Sequence, residues 1–155
     1  MSKISPCLWF DSQAEEAAIF YVETFRACGQ DAALGRTSHR PGGTVLVAEF
    51  TLAGQSFLGL NGGPLFNFSP AVSLSVKCAD QAELDNFWEA FCDGDAPGRC
   101  GWLTDKFGVS WQIVPDMLGD MTTDHDPARA QRVTEACMPM SKLEIAVIKR
   151  AYDGD

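Results

Sequence analysis

The stretch Cys100-Gly101-Trp102-Leu103-Thr104-Asp105-Lys106-Phe107-Gly108-Val109-Ser110-Trp111-Gln112-Ile113-Val114-Pro115 decides how this chain is read. Bulky apolar and β-branched residues flank a run of turn formers, which predicts strands over residues 99–103 and 109–114 meeting across 104–108. Asp105 fits a turn role, because a short carboxylate bonds backbone amides just ahead of it. Upstream, residues 72–78 predict a strand in which Ser73 and Ser75 alternate against Val72, Leu74 and Val76. A helix follows, opened by Asp80 and Glu83 at capping-box spacing and presenting Leu84, Phe87, Trp88 and Phe91.

The N-terminal part repeats this plan. An apolar run over residues 4–10 predicts a strand, and Asp11-Ser12 leads into a helix with Ser12 and Glu15 at capping-box spacing. Ala14, Ala17, Ala18, Tyr21 and Phe25 keep helical intervals up to Gly29. A weaker strand is expected over 32–37, then strands over 44–52 and 56–60 joined at Gly54-Gln55, before the turn Asn61-Gly62-Gly63-Pro64. Gln13-Ala14-Glu15 recurs as Gln81-Ala82-Glu83, and Gly54-Gln55-Ser56-Phe57-Leu58 parallels Gly108-Val109-Ser110-Trp111-Gln112. Each echo occupies the same element of its half, which points to an internal duplication.

From Asp116 onward the chain reads as helix. Asp126-Pro127 is a helix start, Ala130, Val133 and Cys137 keep helical spacing, and Pro139 interrupts. Ser141 and Glu144 restart a helix bearing Leu143, Ile145, Val147 and Ile148, a face that needs cover from the sheets or from a second subunit.

With 155 residues, 46% hydrophobic and 21% charged, the chain fits one α+β domain. The expected layout is a first module over 1–63, a second over 71–115 and a helical tail over 116–155. A formal charge of -9 repels nucleic acid and anionic membranes, so neither is an expected partner. No apolar run reaches the length of a membrane span, and no basic-plus-apolar leader opens the chain, so a cytoplasmic protein is expected. The six cysteines form no C-x-x-C pair and read as reduced thiols.

His39 and His125 fall in loops and read as surface residues rather than catalytic ones. H-E-x-x-H, P-loop, G-x-G-x-x-G and Gly-x-Ser-x-Gly patterns are all absent from the sequence. The strongest specific signal is the run from Cys100 to Pro115, taken with Pro6-x-Leu8-Trp9-Phe10-Asp11 and Leu60-Asn61-Gly62-Gly63-Pro64. Together these segments resemble the PhnB-like branch of the glyoxalase, bleomycin-resistance and dioxygenase (vicinal oxygen chelate) superfamily. Asp105, Gly108 and Trp111 match its D-P-x-G-x-x-W-E pattern.

The resemblance implies paired β-α-β-β-β modules forming a cupped, incomplete barrel with a small-molecule ligand or metal inside, usually in a homodimer. Only about 16 residues separate the second helix from Val109, so an abbreviated second module is expected. The superfamily's metal-ligand positions carry over near Pro6, Leu58, 71–73 and Gln112, of which only Gln112 offers a coordinating side chain. No metal and no cofactor are therefore expected. The resemblance also brings the label demethylubiquinone methyltransferase domain, but no glycine-rich strand-to-helix turn for S-adenosylmethionine is present.

The expected function is metal-free small-molecule binding, with Gln112, Trp102, Trp9, Phe57, Cys100 and Glu49 as candidate ligand contacts. Against these stand plainer readings: Gln112 as a structural amide, the aromatics as core, and Cys100 as an inert thiol with only Arg99 beside it to favour the thiolate. The rival is a metal-dependent lyase, isomerase or dioxygenase of the same fold, using Gln112 with Glu49 or with a partner subunit's residues. A third is a purely structural scaffold whose cup is filled by its own side chains.

Overall fold

In the computed structural model, which describes residues 2–92 and 97–155, the elements run β1 (Cys7–Phe10), α1 (Ala14–Ala27), β2 (Ala32–His39), β3 (Val45–Leu52) and β4 (Gln55–Asn61), then β5 (Ser73–Cys78), α2 (Gln81–Phe91), β6 (Trp102–Thr104) and β7 (Ser110–Pro115). The tail adds α3 (Leu118–Thr122), α4 (Pro127–Cys137) and α5 (Ile145–Asp153). Contacts divide the chain into two units, Met1–Phe68 and Ser69–Asp155.

The first sheet has the order β1-β4-β3-β2, with β1 parallel to β4 and the other pairs antiparallel. The second has the order β5-β7-β6, with β5 parallel to β7 and β6 antiparallel to it. Both are open sheets, and the two orders correspond strand for strand except that the second contains no counterpart of β2 among the described residues. The second module is thus the abbreviated one.

The duplication holds at single residues. Gly54 and Gly108 both take left-handed φ values, +85° and +89°, where a side chain would be strained. Phe57 and Trp111 then point toward their own unit's core: Phe57 stacks on Phe50 with ring centroids 5.3 Å apart, and Trp111 stacks on Phe91 of α2 at 4.4 Å. The next residues, Leu58 and Gln112, occupy the opposite faces, since strand side chains alternate.

In the first unit, α1 buries Ala14, Ala17, Ala18, Tyr21, Val22 and Phe25. Small residues let the helix sit close to the sheet, and a Cβ at Gly59 would lie 3.2 Å from Ala14 Cβ. In the second, Leu84, Phe87, Trp88 and Phe91 are buried as their spacing predicts. Each such side chain contributes about 1.5–3 kcal/mol on full burial.

Several boundaries differ from expectation. β1 begins at Cys7, and Ile4 is exposed. β2 extends through His39, which lies at a strand end rather than in a loop, though still exposed. β6 is displaced to Trp102–Thr104 because Cys100 (φ +59°) and Gly101 (φ +82°) leave the extended region. Their amides donate instead to Met140 O (2.6 Å) and Ser141 O (2.9 Å) of the tail.

Two predicted capping boxes are also replaced. Ser12 makes no cap, and the Ala14 amide donates to Asn61 Oδ1 (2.8 Å) at the end of β4. Glu144 makes no side-chain cap at α5, where the Ile145 amide donates to Gln81 Oε1 (2.8 Å). The Asp80 cap forms as predicted, accepting from the Glu83 amide at 2.9 Å. The apolar residues of the tail find cover within their own unit: Leu143, Ile148 and Val133 are fully buried.

Candidate functional site

Residues paired directly across a ladder share a face. In the second sheet Gln112 pairs with Ser75 on one side and Trp102 on the other, so these three side chains form a row on the face turned away from Trp111 and α2. Gln112 is half-buried, and its Nε2 donates to Ser73 Oγ at 2.9 Å. That bond orients the amide, and no donor among the described residues meets its Oε1. A groove of ≈ 370 Å³ runs along β6, walled by Pro70, Pro97, Gly98, Trp102, Thr104 and Ser110.

Cys100 stands two residues before Trp102 and is half-buried. Its thiol lies beside that of Cys137, whose own thiol is pushed up to about 11, first by burial and then by the Cys100 charge and hydrogen bond.

In the first unit Glu49 pairs with Leu58, and Leu58 with Cys7, on the face away from α1. The Glu49 carboxylate is held by Arg36, whose Nε and Nη2 each donate at 3.0 Å. This hydrogen-bonded pairing lowers the Glu49 pKa and raises that of Arg36. Arg36 is placed by a register irregularity in β2 between Leu34 and Thr37. Sequence reasoning missed this partner, whose only sign was a lone arginine in a weakly patterned strand. A groove of ≈ 530 Å³ borders Leu34, Arg36, Glu49, Thr51 and Leu58.

Trp9 packs beneath the Gly62-Gly63 turn: its Nε1 donates to Gly63 O at 2.9 Å, and its ring meets Phe66 edge-on at 4.9 Å. A Cβ at Gly62 would lie 2.3 Å from the indole. Phe57 also borders the groove, but it is only 6% exposed and stacked on Phe50, on the face opposite Glu49. Of the six candidates, the structure brings Gln112 and Trp102 side by side, ties Cys100 to the tail, and gives Trp9 and Phe57 packing partners.

The residues present do not fit the metal that the fold family implies. Leu58 is apolar, Gln112 and Ser73 are neutral, and Glu49 is already engaged by a guanidinium. Among the described residues no three His, Cys, Asp or Glu side chains are grouped to hold an ion.

Two modules of this topology, the second shortened, define the vicinal oxygen chelate class. Residues 2–114 match the family model described as 3-demethylubiquinone-9 3-methyltransferase. The chain is 32% identical to a PhnB protein from Bacillus cereus, with a TM-score of 0.64 over 73% of this chain and 99% of that one. Protein PA1353 from Pseudomonas aeruginosa shares the fold at 19% identity and a TM-score of 0.55, over 74% of this chain and 97% of that one. No curated protein matches the chain. The chain belongs to the PhnB-like, 3-demethylubiquinone-9 3-methyltransferase family of the glyoxalase and bleomycin-resistance superfamily.

Proposed function

We propose that this protein binds an organic small molecule without a metal, on the open face of the second sheet, with Gln112 fixing the ligand's orientation and Trp102 supplying an aromatic wall. The observation that carries this reading is the Gln112 amide itself. Its nitrogen is committed to Ser73 Oγ, so its oxygen is oriented to accept from a ligand hydroxyl or N–H. In this reading Trp9 and Phe57 stabilise the first unit, and Glu49 with Arg36 forms a charged rim on its groove. Methyl transfer has less support, because neither strand-to-helix turn, 11–13 or 79–80, carries a glycine to admit a cofactor. We further propose a cytoplasmic homodimer, a state consistent with exposed Leu65, Phe66 and Val72 and checked by sedimentation.

The test is a thermal-shift screen of small organic molecules, run with and without chelator, followed by titration of the hits into Gln112→Leu. Affinity should fall about tenfold with little change in Tm of the free protein, as expected for one lost hydrogen bond. Stoichiometric metal in the purified protein, whose removal abolishes binding or a measurable turnover, would overturn the reading in favour of a metal-dependent enzyme.

A further inference from the structure

Cys100 and Cys137 meet in the second unit by a specific backbone arrangement. The Cys100 amide donates to Met140 O at 2.6 Å, and the Met140 amide donates to Cys137 O at 3.1 Å, so one residue bridges the two cysteines. Cys137 closes α4 and is 2% exposed, whereas Cys100 is only half-buried. The Cys100 thiol stands close enough to Cys137 to help raise the latter's pKa, after burial. Cys100 also holds a left-handed φ of +59°, where glycine would be the unstrained residue.

We propose that Cys100 and Cys137 are a dithiol modification site, oxidised to an internal disulfide by a low-molecular-weight disulfide such as oxidised glutathione. The Cys100 thiolate attacks one sulfur of the reagent, whose S–S bond breaks and releases one glutathione thiolate, which takes a proton. Cys137 then gives its proton to solvent and attacks the Cys100 sulfur of the mixed disulfide, expelling the second glutathione. Two protein thiols lose two electrons and two protons, and the reagent gains both as two glutathione thiols. Burial slows Cys137 toward outside reagents but not toward a sulfur already beside it. The product joins α4 covalently to the segment that enters β6, two residues before Trp102. Cys100 lies within the residues that match the family model and Cys137 beyond them, so the pair joins the matched part of the chain to its tail.

The experiment treats the full chain carrying Cys7→Ser, which removes an exposed thiol, with oxidised glutathione, and maps the peptides without reduction. The expected result is a Cys100–Cys137 linked peptide, the loss of both thiols, and a Tm rise of roughly 10 °C that dithiothreitol reverses. Adding Cys137→Ser should leave glutathione attached at Cys100. Adding Cys100→Gly, which relieves the left-handed strain and so preserves folding, should leave Cys137 unmodified. A mixed disulfide persisting on Cys100 while Cys137 is present, or both thiols remaining free in the folded protein, would overturn the proposal.

Discussion

Asp105 carries three hydrogen bonds from one buried carboxylate: Oδ1 accepts from the Phe107 (2.8 Å) and Val109 (3.1 Å) amides, and Oδ2 from Trp111 Nε1 (2.8 Å). It therefore fastens the turn and the largest core side chain of the second sheet at once. Asp105→Ala removes the shared acceptor of the indole N–H and two turn amides, and a loss of about 2–4 kcal/mol is expected in urea unfolding. Gly62→Ala drives a methyl group into Trp9 and should cost about 1–3 kcal/mol. Glu49 sits below its ordinary pKa of 4.5, chiefly through the Arg36 hydrogen bond. A depressed carboxyl contributes stability that is present above the ordinary value and lost as pH falls through the lowered one. The pair is exposed and screened, so its energetic share is small. The direct readout is the Glu49 NMR titration, whose midpoint should return toward 4.5 in Arg36→Ala.

The helices show which signals are readable from local sequence. Asp80 caps α2 from the adjacent position, so its spacing with Glu83 reveals it. Ser12 has the same signature and makes no cap, because Asn61, also bonded through Nδ2 to Val45 O at 3.1 Å, already accepts the Ala14 amide. Asn61→Ala should then cost about 1–3 kcal/mol while Ser12→Ala leaves stability nearly unchanged, a contrast that chemical denaturation resolves. No local pattern discloses a cap supplied from a distant strand, and none discloses that the Cys100 and Gly101 amides end a strand early to meet the tail. The candidate site divides in the same way. The echo of 54–58 in 108–112 placed Phe57 with Trp111 and Leu58 with Gln112. Alternation alone does not say which of the two faces meets the helix, so it does not separate Phe57, which stacks on Phe50, from the residues of the opposite face.

At the scale of the whole molecule, the family match stops at residue 114, and α3, α4 and α5 lie beyond it. They are nevertheless integral to the second unit. Leu143 is fully buried, and a Cβ at Gly101 would lie 3.1 Å from its Cδ1. Arg132 donates to the carbonyls of Ala151 and Tyr152, binding α4 to the end of α5. A chain ended at Pro115 should lose a large part of its stability and show a broadened unfolding transition by circular dichroism. Unchanged unfolding would instead make the tail a mere appendage.

The distant caps also impose an order on biosynthesis. Ala14 and Asn61 are 47 residues apart, and Ile145 follows Gln81 by 64. A ribosome releases α1 well before its cap exists, so the nascent helix frays at its N-terminus until β4 emerges and docks. The last helix meets the opposite situation, because its cap has long been made when Ile145 appears. The first half of the chain must wait for itself to be completed, while its final segment folds onto a surface already prepared.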